Sequence, residues 1–541
     1  MLTALPRASF WLHWCWTLLL AVLLSTLAQT QLNLLALQQL GVSIPWAERL
    51  ATSGHDLLNF TPVYLVLFAS CYFIAMPLAH GLSSRLQARW RTPLFAVAAA
   101  LGLWLTLLLV NALAPMPTLI AASRSFAGLL SLLLIAALAA VILAWLTADS
   151  AGRSNRRSDR QGAGQPLMLL PLLLFLPGIQ PSAIAETELQ LDTLVRGLEH
   201  PWSLAFLPTG PMLVTERPGR LRLIHTDGRL EPEPIGGLPE VFASGQAGLF
   251  DVVPAPDFGR SQQIFLSYAC GRMRANHTCL ARARLDLSQL KLTELTEIFR
   301  SYPAKTGNAH YGGRVVFLDD GSLVLSLGDG FDYREEAQRL SSHLGTLVRL
   351  WPDGSVPDDN PFVGQSGALA EIFSWGHRNV QGLVYDGDRQ QLLSHEHGPK
   401  GGDELNRIVA GANYGWPVVT QGIDYTGARI TPFTQFDGMT PPLLDWTPSI
   451  APSGLALYQG ELFSGWQGDL LVGALAGRQL QRVRLTDQGA RIEQVLLTEL
   501  AERIRDVRVG PDGAIYLLTD DARGRLLRLS PSYDDDGATA W

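Results

Sequence analysis

The 541-residue sequence predicts an N-terminal set of all-α transmembrane helices followed by an all-β six-bladed propeller. Three observations carry that expectation. Four apolar runs, each near the ~20 residues a helix needs to cross a bilayer, crowd into the first 150 positions. Charge is divided between the parts: residues 1–165 hold ten arginines, no lysine and four acids, a balance of +6, against −13 for the rest of a chain of net −7. Beyond residue 186, apolar runs become short and are punctuated by Gly, Pro, Asp and Asn, the pattern of strands and tight turns.

The first part, residues 1–150, reads as four spanning helices. The runs are FWLHWCWTLLLAVLLSTLA, FTPVYLVLFASCYFIAMPLA, LFAVAAALGLWLTLLLVNALA and FAGLLSLLLIAALAAVILAWL. Buried helices of a large soluble core are the competing reading, but so many apolar residues leave too little polar surface for one. Arg7 precedes the first run. Arg85, Arg89 and Arg91 separate the second from the third. Arg153, Arg156, Arg157 and Arg160 follow the fourth. If every run crosses, all three basic segments share one side, the cytoplasmic side of a bacterial inner membrane. Residues 151–185 combine that basic loop with a shorter fifth run, PLMLLPLLLFLPGIQPSAIAE, ending in the small-residue pattern Ala183-Ile184-Ala185. It reads either as a fifth crossing or as an internal signal-like segment cut after Ala185. Both readings put the remainder of the chain in the periplasm.

Residues 186–533 form the second part, and 534–541 an acidic tail. A unit of strand, Asp/Gly turn and strand recurs loosely, as in VVFLDDGSLVLSLGD and VRVGPDGAIYLLTDD. Four strands and their connections take roughly 50–70 residues, so the length suits six blades. Sandwiches would require two or three domains with visible linkers. Cys270 and Cys279 flank a predicted hairpin, and an exported domain permits a bridge between them. Their spacing does not match a zinc site, and the acidic balance argues against a nucleic-acid partner.

Chemistry gathers in Gly-flanked polar clusters at predicted strand ends. In GNAHYGGRVVF, His310 precedes Gly312 and Gly313, whose missing side chains would let a flat ligand approach. Asp329, in SLGDG, ends the next strand and could hold the second imidazole nitrogen, fixing its tautomer as a general base requires. WGHRNVQGL supplies His377, Arg378 and Asn379; an arginine fork suits a carboxylate or a developing oxyanion. In AERIRDVRVGPDG, Arg503 and Arg505 share a face of an extended segment, an arrangement that asks for an anion between them. The loop SHEHGPKGGDELNRIVAGANYGWP offers Gly398 and Pro399 carbonyls with Asp403 and Glu404, an oxygen-rich set suited to calcium. His395-Glu396-His397 raises zinc as an alternative, but no third ligand follows at a suitable spacing.

In their order along the chain, GLEHPWSLAFLP, GQAGLFDVVPAPDF, AHYGGRVVF, LSLGDG, GHRNVQGL, GPKGGDELNRIVAGANYGWP, WTPSIAPSGLALY and RIRDVRVGPDGAIYLLTD resemble the PQQ-dependent aldose sugar dehydrogenases, six-bladed propellers of the soluble quinoprotein glucose dehydrogenase type. The resemblance covers about 190 to 532. It implies oxidation of an aldose at C1 to the lactone by hydride transfer to PQQ. His310 would be the base, Asp329 its orienting acid and Arg378 the group over the reacting quinone. Gln246, Asn379, Arg503, Arg505 and Trp446 would contact or flank the cofactor. The Gly398 and Pro399 carbonyls would hold the catalytic Ca2+, and Glu404 and Tyr414 would give backbone ligands to a second, structural one.

The resemblance has limits. Ala476 stands where the family commonly has a lysine toward PQQ, a contact worth about 1.5–3 kcal/mol. Arg478 lies two residues on. Thr346 replaces another common lysine. The helical part is foreign to the family. A binding propeller without redox chemistry and a calcium-dependent lactonase remain as alternative functions. The expected partners are an aldose, membrane lipid and, as candidate electron acceptor, a membrane quinone.

Overall fold

A computed structural model describes residues 8–113, 118–148 and 189–532. The fifth apolar run, the Ala185 site, Arg7, Arg153, Arg156, Arg157, Arg160 and the acidic tail lie outside the described residues. Five helices come first: α1 (Ala8–Gln39), α2 (Trp46–Asn59), α3 (Thr61–Ser83), α4 (Arg91–Leu113) and α5 (Phe126–Ala148). Four of them, all but α2, are long and apolar enough to cross a membrane, α4 together with the short turn ahead of it.

These four alternate in direction. The Phe10 ring of α1 lies 4.7 Å from His80 near the end of α3. Arg91, opening α4, donates to Ala144 O and Thr147 Oγ1 at the end of α5. One end of the bundle therefore gathers the start of α1, the end of α3, the α3–α4 link with Arg85 and Arg89, and the end of α5. A column of rings, Phe60, Tyr64, Phe68 and Tyr72, runs along α3 in the bundle core. The sequence reading missed α2, which has no long apolar run. It is amphipathic: Trp46, Leu50 and Leu58 are exposed on one side while Thr52 and Asp56 are buried on the other.

The second part is a ring of six antiparallel sheets. Their innermost strands are Pro201–Phe206, Leu249–Pro254, Gly312–Phe317, Val380–Asp386, Pro452–Leu457 and Ile504–Val509, and each neighbours the next around the ring. Five sheets have four strands and the first has three. The last blade takes its outer strand from the beginning of the domain: Leu189–Leu198 pairs with Gly524–Pro531, from Leu189 opposite Pro531 to Leu198 opposite Gly524. This joint closes the ring.

Charged residues plug the channel between the inner strands. Arg314 meets Asp506 at 2.9 Å, and Arg508 bridges Asp506 and Asp251 at 2.9 and 3.1 Å. Asp251 also accepts from Ser203 Oγ and Val315 N, and Asp506 from Leu204 N. Buried acids paired with guanidinium groups and backbone donors avoid the penalty of isolated charge.

The helical end opposite Arg85 and Arg89 packs on the propeller. Asp56, fully buried, accepts from Thr30 Oγ1 at 2.7 Å and from the Arg429 amide at 2.8 Å. Asn33 accepts from Arg334, Thr118 donates to Asp332, and Arg124 pairs with Glu335. Leu34, Leu37, Val42 and Ile44 pack with Val418 and Val419 in one apolar cluster.

Cys270 and Cys279 are bridged, across from each other's strands in the second blade. A loop this short implies about 2–3 kcal/mol of stabilisation from the restricted unfolded chain. Replacing both cysteines with serine should lower the urea unfolding free energy of the propeller by about that amount, with the m-value little changed; an unchanged midpoint would contradict a stabilising bridge.

Candidate functional site

Every inner strand starts at the same rim of the channel, and the expected polar residues sit just before those starts. Gln246 precedes the second inner strand, His310 the third, Arg378 and Asn379 the fourth, and Arg503 the sixth, within which Arg505 lies. Second strands run antiparallel and end at the same rim, which brings up Asp329, Glu396 and Asp520. Residues far apart in sequence thus reach one rim, where Gln246, Asn379, Arg503, Arg505 and Asp520 wall one cavity and Arg378 borders a second.

His310 is 4% exposed and its backbone is left-handed, φ +53°, unusual for a residue with a side chain. The conformation is held from several sides. Its amide donates to Gln246 Oε1 at 2.8 Å. Its Nδ1 meets Asp329 Oδ1 at 2.6 Å, and that oxygen also takes the Phe331 amide at 2.8 Å. Trp416 Nε1 donates to the other Asp329 oxygen at 2.7 Å. Nδ1 is thereby committed as donor and Nε2 is the nitrogen available to a reactant. Burial lowers the His310 pKa and the Arg378 charge lowers it further, against the opposing pull of Asp329. Burial raises Asp329, but His310 and Arg378 bring it below the usual carboxylate value.

Gly312 and Gly313 do a different job from the one expected. A Cβ on Gly312 would lie 2.5 Å from Ser326 O, and one on Gly313 would lie 2.9 Å from the Phe250 ring. Both have positive φ, +67° and +104°. They permit the bulged start of the strand and its close packing. Of the two, Gly312 also borders a cavity.

Arg378 is anchored by its own backbone and its fork. Its amide donates to Glu396 Oε2 at 2.5 Å, while Glu396 Oε1 meets His377 Nδ1 at 3.0 Å. Its guanidinium lies over the Trp416 ring and donates to His397 O and Gly398 O. Its Nε is buried with no partner among the described residues, a donor in reserve. The three residues of the zinc alternative are otherwise engaged: His395 turns toward Gly454 O, His397 toward Pro452 O, and Glu396 holds the 377–378 turn.

Beside His310 is a cavity of about 190 Å³ whose walls include Arg217, Gln246, Asn379, Arg503, Arg505 and Asp520. The anion anticipated between Arg503 and Arg505 is partly supplied from within. Asp520 takes Arg503 NH2 and Arg505 NH2 at 3.0 Å each. Burial would raise the Asp520 pKa, but Arg505 and Arg503 hold it far below the ordinary carboxylate range. Three guanidinium groups against one carboxylate still leave the walls net positive, and amides from Gln246 and Asn379 add polar edges. That donor set fits a planar polycarboxylate. Arg217, which the sequence reading missed, donates to Gly245 O at 2.7 Å and supplies a charge on the ring where Ala476 has none. Arg478 does not enter this cavity; it lines a neighbouring one with Arg503 and Asp520 and bonds Ala501 O.

On the other side of Arg378, a pocket of only about 30 Å³ is bounded by Phe331, Pro399, Trp416 and Tyr425 of the propeller and by Thr118, Ala121 and Arg124 of the helical part. That volume holds roughly one or two water molecules. The helical end therefore closes over the rim next to the His310–Arg378 pair. A cavity of about 880 Å³ at the opposite ends of the inner strands gathers none of these residues.

Trp446 ends the outermost strand of the fourth blade, opposite Asp403, with its side chain turned into the blade. It is 4% exposed, packs in the apolar core of blades four and five and donates to Gln481 Oε1 at 2.8 Å. The aromatic beside the pocket is Trp416. Gly398 and Pro399 sit in a tight loop where a Cβ on Gly398 would collide with the Gly402 backbone, and Asp403 caps the Gly398 amide. Glu404 lies nearby among acids. Burial raises its pKa well above the usual value and Glu396 and Asp445 add to the effect. Asn406 Oδ1 and Asp445 Oδ2 are buried without donors among the described residues, so the cluster has oxygen ligands to spare for a cation. Tyr414 stacks on His377 at 4.6 Å and its hydroxyl donates to Arg407 O at 2.6 Å. Lys305, also missed, is 2% exposed over the Tyr311 ring, and burial pushes its pKa down to about 7 against the pull of Asp329 and Asp332.

The profile of a family described as "Glucose / Sorbosone dehydrogenase" matches residues 198–528. The aldose sugar dehydrogenase YliI of Escherichia coli is 41% identical over 372 residues, covering 68% of this chain and 99% of that protein. Quinoprotein glucose dehydrogenase B of Acinetobacter calcoaceticus is 26% identical, covering 61% and 85%. Among solved structures, the apo-form of the soluble E. coli aldose sugar dehydrogenase superposes with a TM-score of 0.62 at 41% identity, over 64% of this chain and all of that one. The PQQ-bound form of an aldose sugar dehydrogenase from Streptomyces coelicolor gives 0.53 at 28%, over 64% and 99%.

The His310 imidazole should titrate below the usual histidine value of about 6.5, as read from ring nitrogen shifts. In Asp329→Asn it should titrate lower still, because a contribution that favours the cation has gone. The unfolded chain binds this proton first as pH falls, so stability from this group is complete above about pH 6.5 and declines as pH drops toward the folded value. A higher value in the variant would overturn the assignment.

Proposed function

The chain belongs to the glucose/sorbosone dehydrogenase family of PQQ-dependent sugar dehydrogenases, and from that premise we propose that it oxidises an aldose at C1 to the lactone with His310 as general base. The observation that carries this reading is the His310–Asp329–Trp416 relay beside Arg378, adjoining a slot walled by three arginines. When bound, PQQ supplies the two-electron acceptor for the C1 hydride. His310 Nε2 takes the proton of the C1 hydroxyl, and Asp329 stabilises the imidazolium that results. The unpartnered Arg378 Nε is available to negative charge developing beside it. Arg217, Arg503 and Arg505 would hold cofactor carboxylates, with Gln246 and Asn379 at its edge.

Calcium is proposed at two places. Gly398 and Pro399 carbonyls would serve the cofactor's ion; Gly398 O accepts from Arg378 and, as a carbonyl, keeps a second lone pair. The cluster of Glu404, Asp445 and Asn406 would hold a structural ion near Tyr414. We further place the propeller in the periplasm, with the helices as an inner-membrane anchor and a membrane quinone as acceptor. The Cys270–Cys279 bridge supports an oxidising compartment, and the arginines of the α3–α4 link lie at the bundle end away from the propeller, as the positive-inside bias requires. An even number of crossings returns a chain to its starting side, so this orientation also requires one passage by residues 149–188, where the fifth apolar run stands in the sequence.

Cofactor-free protein given PQQ and Ca2+ should reduce an artificial dye with aldoses. His310→Asn should lower kcat by about 10²–10⁴-fold while PQQ binding stays within about threefold, and Arg505→Ala should do the reverse, weakening PQQ by about tenfold or more. Failure of the wild type to take up PQQ would sink the enzymatic reading. Separately, millimolar Ca2+ should raise the melting temperature of cofactor-free protein, and Glu404→Gln should remove most of that rise. An equal rise in the variant would exclude the acid cluster as the structural site.

A further inference from the structure

Where the helical part meets the propeller there is a cavity of about 440 Å³, within the range of small-molecule sites. Its walls differ in character. Leu32, Leu35 and Ala36 near the end of α1 and Ala127 at the start of α5 make an apolar side continuous with membrane-spanning helices. Arg124, Asp332 and Tyr333 make a polar side toward the propeller. We propose that this cavity binds the ring of an isoprenoid quinone, which takes up the electrons released by sugar oxidation.

The polar groups suit a quinone better than a lipid phosphate. Arg124 makes only long contacts, 3.2 to 3.4 Å, to Ala121 O, Asp332 O and Glu335, so its fork has donors to give a quinone carbonyl. The Tyr333 hydroxyl accepts from Thr306 N and retains its own hydrogen. Asp332 Oδ1 is buried with no partner among the described residues, and a quinol hydroxyl would satisfy it. Asp332, Glu335 and Glu336 outnumber Arg124 and Arg339 around the cavity, which disfavours an anionic headgroup. A neutral ring with two carbonyls and an apolar tail matches both sides.

Position supports the same occupant. Arg124 borders this cavity and also the small pocket beside Arg378. One side chain therefore separates the proposed quinone from the sugar-oxidising rim. The exchange balances: the aldose loses two electrons and two protons to become the lactone, and the quinone gains both pairs to leave as the quinol. The proposal rests on the sugar-oxidising reading above and adds where the electrons go.

The test uses the full chain in phosphatidylcholine nanodiscs. Cofactor-free protein should bind decylubiquinone saturably at one per chain, and Ala127→Trp and Ala36→Trp, which fill the cavity, should each weaken binding at least tenfold. With PQQ and Ca2+ added, both variants should lose at least tenfold in quinone reduction while dye reduction stays within twofold. A photoreactive azidoquinone should label residues 32–39 or 124–127 of the wild type, a readout that needs no variant to fold. Unchanged binding in folded variants, labelling elsewhere, or a bound phospholipid that decylubiquinone does not displace would each overturn the proposal. Absence of dye reduction in the wild type would instead count against the sugar-oxidising reading, and the binding and labelling results would still decide the site.

Discussion

Ring closure is the constraint on which the rest depends. Each sheet alone leaves its edges and inner face uncovered; only when Leu189–Leu198 joins Gly524–Pro531 does every blade have a neighbour on both sides. Radial symmetry then does the chemical work of gathering. Every inner strand begins at one rim, so any polar residue placed just before a strand arrives on the same face of the ring. Gln246, His310, Arg378 and Arg503 come from four different blades for that reason. The charged plug of Asp251, Arg314, Asp506 and Arg508 fixes the blades' rotation about the axis, because each acid accepts from side chains or amides of several inner strands.

Within that frame the rim is pre-arranged. His310 is held in a strained left-handed conformation by Gln246 at its amide and Asp329 at its ring, and Asp329 is held in turn by Trp416. An imidazole fixed in this way would need no reorganisation to act as the proposed base. The arginine slot follows the same logic. Asp520 keeps Arg503 and Arg505 side by side against their mutual repulsion, so an incoming polycarboxylate meets a positive wall already in place.

Much of this was legible in the sequence because it is local. Four apolar runs give four helices, three of them to within a few residues while the first continues eleven residues past its run to Gln39, and Asp/Gly turns mark the hairpins. His310 and Asp329 belong to one blade, 19 residues apart, so their pairing could be anticipated from strand order. What escaped was tertiary. Arg217 carries no local signal that sets it apart from other surface arginines, yet the ring brings it to the slot. Trp446 and Trp416 are equally aromatic; only the blade packing decides that the first turns into the core and the second toward Arg378 and Asp329. Gly312 and Gly313 looked like space for a ligand and proved to be space for the neighbouring strand and Phe250. The docking of the helical end on the rim rests on single residues from distant segments, Asp56 with Arg429 and Arg124 with Glu335, a pattern no periodicity announces.

The order of synthesis gives the closing joint a temporal meaning. The helices leave the ribosome first, and the strand Leu189–Leu198 comes soon after, but its partner emerges more than three hundred residues later. At ordinary rates of elongation that interval is on the order of tens of seconds. For that time a nascent β-edge waits without its partner. The surface carrying Asn33, Asp56 and Arg124 is thus present before the blades that will rest on it, and the strand Gly524–Pro531 is the one that locks the ring shut.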